Sequence, residues 1–257
     1  MKFENKIVIV TGASSGMGRQ IALDFAKNGA TVIAAARRKE KLESLKDEAI
    51  KAGFKGTINP FVVDLSNEKS TINLINETIQ KFNGLDILVN NAGSMDDFGP
   101  IGEVSDELLN KVFAIDLYSP FYSSREACKY FLKSNRKGNI INIGSIAGLG
   151  GGKAGTVYTM AKHAIVGMTK SIGYQYRNSN IRCNCICPGG IATEIMSPEA
   201  FANASKFGLA NIQAMTAMNV KPGTVNNISD FVMFLASDES SYITGAILPI
   251  DGGLMGN

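Results

Sequence analysis

Residues 7–18 read IVIVTGASSGMG. Four β-branched apolar residues run into a loop that holds Gly12, Gly16 and Gly18, with Ser14, Ser15 and Met17 between them. An unbroken apolar run of this kind suits a strand buried on both faces. The stretch that follows places Ile21, Phe25 and Ala26 on one face of a helix. Strand, glycine loop and helix in this order mean more than a turn. Glycine lets the backbone approach a pyrophosphate closely, and the helix N-terminus offers unpaired N–H groups and a partial positive charge.

The same rhythm repeats along the chain. Strands are expected at Ile7–Val10, Thr31–Ala35, Ile58–Val63, Ile87–Val89, Asn139–Ile143, Ile181–Ile186 and Ala246–Ile250. Helical spacing fills the gaps; Ile72, Ile75 and Ile79 mark one such face. Alternation of strand and helix implies βαβ units with right-handed crossovers. The expectation is an α/β fold: a single Rossmann-type, doubly wound parallel sheet of about seven strands with helices on both faces. No Pro-, Gly- or Ser-rich linker divides the 257 residues, so residues 1–257 are read as one domain. Residues 190–224 break the rhythm. They hold many small residues with Met196, Met215 and Met218, and are read as a substrate lid or a packing insertion.

Composition narrows the function classes. A net charge of +3, from 26 basic and 23 acidic residues, argues against a nucleic-acid partner. Polar residues interrupt every apolar run well before the ~18 residues a membrane span needs. The N-terminus lacks the apolar region of a secretory signal, so a cytoplasmic location is expected. Cys183, Cys185 and Cys187 alternate, which puts them on one face of a strand. With His163 the single histidine, they are read as buried structural residues and no metal site is expected.

The second strand bears on the cofactor. In TVIAAARRKEKL, residues 31–42, the place where NAD-binding chains commonly carry an acid for the ribose hydroxyls is Ala36, followed by Arg37 and Arg38. A guanidinium pairs with a 2′-phosphate, where a carboxylate would repel it. The reading is NADP(H). Further on, YTMAK puts Tyr158 and Lys162 on one helical face. An ammonium beside a phenol favours the phenolate, which fits Tyr158 for proton exchange with a carbonyl or alcohol oxygen. INIGSIAG places Ser145 just past a strand end, able to orient the reacting oxygen. His163 points away from Tyr158 and is read as structural or interfacial.

Taken in order, T-G-x-x-x-G-x-G, Asp64, N-N-A-G, Ser145, Y-x-x-x-K and P-G-x-x-x-T resemble the classical short-chain dehydrogenases/reductases, over nearly the whole chain. The resemblance implies hydride transfer between a nicotinamide and a ketone or secondary alcohol. It implies that Tyr158 is the acid/base, that Lys162 binds the nicotinamide ribose and tunes Tyr158, and that Ser145 orients the substrate. Asp64, with Leu65 beside it, matches the contact to the adenine amino group. Asn91, Ala92 and Gly93 match the segment lining the adenine ring. Pro188, Gly189, Ile191 and Thr193 match the nicotinamide end, and Arg37 the basic position of NADP-preferring members. One position departs: where the family carries asparagine, DLYSPF has Asp116. The family role rests largely on the main-chain carbonyl, so the substitution is compatible with it. A buried carboxylate there needs partners.

The substrate reading also rests on resemblance. Residues 234–253 closely resemble the 3-oxoacyl-carrier-protein reductases, and a 3-oxoacyl thioester is the first expectation, with an acyl carrier protein as partner. Arg136 fits one carrier-facing position; the second is Ser179, with its arginine displaced to Arg177. Hydroxysteroid, other alcohol or sugar substrates are the alternatives, and a non-catalytic NADP-binding sensor is a third. A homotetramer or homodimer is implied, paired through helices near 106–133 and 156–176. The second of these carries Val157, Ala161, Ala164, Ile165 and Met168.

Overall fold

The computed structural model describes residues 2–193, 204–216 and 221–256, with side chains described as far as residue 212 in the middle stretch. The first half runs β1 (Ile7–Thr11), α1 (Gly16–Lys27), β2 (Thr31–Ala36), α2 (Lys39–Lys51), β3 (Thr57–Val62), α3 (Glu68–Phe82) and β4 (Ile87–Asn90). Then come α4 (Asp106–Phe113), a π-helical turn (Ala114–Tyr118), α5 (Ser119–Ser134), β5 (Gly138–Ile143), α6 (Thr156–Gln175) and β6 (Ile181–Pro188). The chain closes with α7 (Lys206–Thr216), α8 (Val225–Ala236) and β7 (Ile247–Ile250). All seven expected strands form, with ends shifted by at most two residues.

The strands make one parallel sheet in the order β3-β2-β1-β4-β5-β6-β7. Alternation along each strand feeds two cores. Val8 and Val10 point toward Ile21 and Phe25 of α1 and Ile228 and Val232 of α8. Ile9 and Leu88 point the other way, toward Leu74 and Ile75 of α3 and Phe131 of α5. Local chemistry ends the helices. Asn67 caps α3 by accepting from Ser70 N at 3.0 Å, and Asn83 and Asn135 take the left-handed conformation after α3 and α5.

Three expectations need correcting. Burial on both faces holds for the inner strands but not for β3, where Val62 is exposed, nor for β7. These are the rims of the sheet, and each carries a proline, Pro60 and Pro249, as rim strands tolerate. The inward stripe of α3 is Thr71, Leu74, Ile75 and Thr78, so Ile72 flanks it and does not lead it. In α6, Val157, Ala161 and Ile165 are spent on the core, and the large exposed apolar side chains are Met160 and Tyr174.

The cysteines follow the reading. Cys185 and Cys187 pack with Ile165 and Val166, their sulfurs 3.8 Å apart, and Cys183 lies in the core around Phe131. Within 190–224, α7 and a single bridge between Ile191 and Gly223 are described; Met196, Met218 and the Met215 side chain lie outside the described residues. No helix among the described residues is long and apolar enough to cross a membrane.

Phe131 is fully buried, and its ring lies where a Cβ on Gly138 would be. Phe131→Ala is expected to cost about 3–5 kcal/mol of stability, measured by urea denaturation. Retention of the wild-type midpoint would show that the ring does not carry this core.

Candidate active site

The strand order reverses between β1 and β4, and a crevice opens at their carboxyl ends. Thr11 stitches its two walls together. Its Oγ1 accepts from Asn91 N at 2.9 Å and Ala92 N at 3.1 Å, and donates to Val89 O at 3.3 Å. Asn91 Nδ2 returns a bond to Thr11 O at 2.9 Å. Gly12 turns here with φ +68°, and a Cβ on it would sit 2.8 Å from Ala92 Cα. A Cβ on Gly18 would sit 2.5 Å from Gly12 O. These two glycines are required by contact; Gly16 adds a second positive φ, +55°.

The crevice is a cleft of about 410 Å³. Gly12, Ser14, Ser15, Gly16 and Met17 form its floor, where α1 begins without a side-chain cap. Arg37, Arg38 and Leu65 stand at one end. Asn91, Ala92 and Gly93 line the wall after β4, and Tyr158, Lys162 and Thr193 stand at the other end. Arg38 folds back over the loop, donating through Nη2 to Ser14 Oγ at 2.9 Å and Ser15 Oγ at 2.8 Å. Positive-φ glycines, an uncapped helix start and two guanidinium groups fit a phosphate-bearing dinucleotide.

Five expected contacts stand just outside this lining. Asp64 lies between Val63 and Leu65, which do line it. Its Oδ1 accepts from Ser66 Oγ at 2.8 Å and Ser66 N at 3.0 Å. Those bonds, joined by the Arg37 charge and against burial, hold its carboxyl below the usual range. Pro188, Gly189 and Ile191 follow β6, with Gly189 N held by Ile250 O at 3.0 Å. Gly18 is packed under the loop.

The deep end holds a buried charge pair. Lys162 and Asp116 are almost inaccessible, with Nζ 3.0 Å from Oδ1. Lys162 also donates to Ile143 O at 3.2 Å. Asp116 Oδ2 accepts from Ser94 N at 2.8 Å and Ser94 Oγ at 3.0 Å. Oδ2 is therefore satisfied by two hydrogen bonds, whereas Oδ1 has the Lys162 ammonium as its ion-pair partner and no hydrogen bond among the described residues. Gly93 makes room, since a Cβ there would lie 2.9 Å from Asp116 Oδ1. Asp116 sits in the π-helical turn, a break in helical bonding often found at functional sites.

Lys162 Nζ lies 5.2 Å from the centre of the Tyr158 ring. Burial raises the Tyr158 pKa above the usual tyrosine value. The Lys162 charge and a hydrogen bond with Ser145 work against that rise, while the charges of Asp116 and Asp96 add to it. Burial lowers the Lys162 pKa, but Tyr158 and Asp116 outweigh it, so the amine stays charged. Ser145 Oγ accepts from Ala147 N at 3.1 Å, which fixes the hydroxyl beside the cleft. His163 is exposed and bonds Thr159 O, away from this cluster.

Sequence reasoning missed several neighbours. Ile143, Gly144 and Ile115 line the cleft because they adjoin motif residues. Asp96 is the larger omission: a buried carboxylate bonded to the start of α6, with nothing in its local sequence to mark it.

Comparisons with known proteins agree with this fold. The family model described as enoyl-(acyl carrier protein) reductase matches residues 12–255. The chain is 38% identical over 245 residues to 3beta-hydroxysteroid dehydrogenase 2 of Eggerthella lenta, covering 95% of this chain and 93% of that one. It is 34% identical over 255 residues to the 3-oxoacyl-[acyl-carrier-protein] reductase FabG of Thermotoga maritima, covering 99% and 100%. Among solved structures, an Agrobacterium tumefaciens chain assigned as a 2-deoxy-d-gluconate 3-dehydrogenase, with bound NADP, superposes with a TM-score of 0.85 at 30% identity, covering 100% and 98%. This chain belongs to the short-chain dehydrogenase/reductase family.

Proposed function

We propose that this chain is an NADP(H)-dependent oxidoreductase that interconverts a ketone and a secondary alcohol, with Tyr158 as the proton donor and acceptor. The observation that carries the reading is the Tyr158–Lys162–Ser145 cluster at one end of a cleft whose other end bears Arg37 and Arg38. The dinucleotide-bearing relative supports NADP as the cofactor. When bound, the nicotinamide supplies or accepts the hydride. Ser145 and Tyr158 hold the substrate oxygen, and Tyr158 passes it a proton. Lys162 stabilises the phenolate that remains and presents its ammonium to the ribose.

The substrate class is narrowed by Arg136. Its guanidinium donates to Asn83 O at 3.2 Å and packs over Gly84, and the second carrier-facing position holds Ser179 in place of an arginine. That weighs against a carrier protein and toward a free ketone such as a keto-steroid, in line with the 38% identical relative. A 3-oxoacyl thioester is the second reading, favoured by the closing stretch and by the 34% identical relative. The exposed Tyr118, Phe121, Met160 and Tyr174 offer apolar side chains for a subunit interface.

The deciding assay follows NADPH oxidation with a keto-steroid and an acetoacetyl thioester in parallel. Tyr158→Phe is expected to reduce turnover about 10²- to 10⁴-fold while NADPH still binds; undiminished turnover would sink the assignment. Arg37→Ala and Arg38→Ala are expected to weaken NADPH binding about tenfold or more relative to NADH, measured by titration of the reduced cofactor's fluorescence. Equal losses for both cofactors would remove the 2′-phosphate role.

Asp116 gives a pH prediction. Its negative charge raises the Tyr158 pKa, and Asp116→Asn removes that charge, leaving Ile143 O and the Tyr158 phenolate as partners of the Lys162 ammonium. Alcohol oxidation needs the phenolate, so activity rises with pH through the Tyr158 pKa. The rise is expected at lower pH in Asp116→Asn than in the wild type. A shift to higher pH would contradict this electrostatic account.

A further inference from the structure

We propose that Asp96 is a positioning residue for Tyr158: a carboxylate from the loop after β4 that caps the helix carrying the tyrosine and sets where its hydroxyl stands. This rests on the reading of Tyr158 as the proton donor.

Asp96 is buried, 5% exposed, on the segment that follows Asn91, Ala92 and Gly93. Its Oδ2 accepts from Tyr158 N at 2.9 Å. Its Oδ1 accepts from Gly155 N and from Phe98 N, each at 3.1 Å. Gly155 is the N-cap of α6 and has no side chain to cap with. The first N–H groups of a helix must find acceptors outside it. A residue 62 positions away in sequence supplies one, and the N–H it binds belongs to Tyr158 itself. Gly155 is required at this spot, since a Cβ on it would lie 2.5 Å from Asp96 Oδ2.

A second contact strengthens the clamp. Gly99 O accepts from Thr156 N at 3.0 Å and from Thr156 Oγ1 at 3.2 Å. The loop is therefore bonded to Gly155, Thr156 and Tyr158, across the first turn of α6. At its other end, Ser94 holds Asp116, the partner of Lys162. Tyr158 and Lys162 are thus held from the same six-residue loop, one through its helix and the other through its counter-ion.

The loop is built under constraint. Phe98 is buried with φ +61°, a conformation that a bulky side chain rarely adopts. It persists where surrounding contacts over-determine it. Those contacts include the bond from Phe98 N to Asp96 and the seat of α7: Ser205 N donates to Asp97 O at 2.7 Å, and Gly208 packs against Phe98 O. The same contacts that enforce this φ keep the Asp96 carboxylate in line with the helix start.

The test uses the full-length protein with Asp96→Asn, which preserves size, and Asp96→Ala, which removes both acceptors. Two readouts are taken: amide hydrogen exchange in the peptide spanning residues 155–162, and kcat, KM and NADPH affinity. Both variants are expected to exchange faster in that peptide. Because small misplacement of a reacting group is costly, kcat is expected to fall about tenfold to a hundredfold. NADPH affinity is expected to change less than about threefold. Unchanged exchange in the peptide overturns the proposal, as does a kcat near the wild-type value. A loss of NADPH affinity as large as the loss of kcat overturns it too, because the residue would then be shaping the cofactor wall. If Asp96→Ala does not fold, Asp96→Asn decides. If the wild type turns over no carbonyl, the functional reading fails, and the exchange arm still reports whether Asp96 anchors the helix.

Discussion

A charge buried away from water must be neutralised where it stands. Lys162 imposes that constraint, and much of the surrounding chain answers to it. Asp116 meets the ammonium at 3.0 Å, Ile143 O takes a second bond, and Ser94 donates twice to the carboxylate's other oxygen. These groups come from α6, the π-helical turn, the end of β5 and the loop after β4. Gly93 and Gly148 are small because larger side chains would press on the pair or on the helix carrying it. One ionic contact therefore ties four segments at the carboxyl edge of the sheet. Removing either partner leaves the other buried and unpaired.

Much of this was legible in the residues, for identifiable reasons. Inner strands announce themselves because both faces are buried, leaving only apolar β-branched residues to choose from. The glycine loop is legible because backbone contacts at Gly12 and Gly18 exclude any side chain. The rims β3 and β7 are marked in the sequence only by Pro60 and Pro249, and a reading weighted to apolar β-branched residues passes over them. The inward stripe of α3 was misplaced because two threonines are used on the buried side, and a reading weighted to isoleucine passes over them. Asp96 left no local signal at all. Its two distant partners are backbone N–H groups about 60 positions away, and any residue type supplies those.

Asp116 shows how a departure from family pattern is absorbed. Asparagine offers an amide donor and no charge; aspartate offers two acceptors and a full charge. The structure meets the second set of demands with two donors from Ser94 and the ammonium of Lys162. The result is a buried tyrosine that feels a cation and an anion together, so their balance adds to the effect of burial on its acidity.

The prolines at the two rims carry a consequence for assembly. An open sheet edge is a template on which another strand can be laid, and proline takes away one of its donors. Pro60 interrupts β3 and Pro249 interrupts the four-residue β7, so neither rim offers an unbroken ladder. The rims are thereby closed to strand addition, in which the sheet would have no natural place to stop.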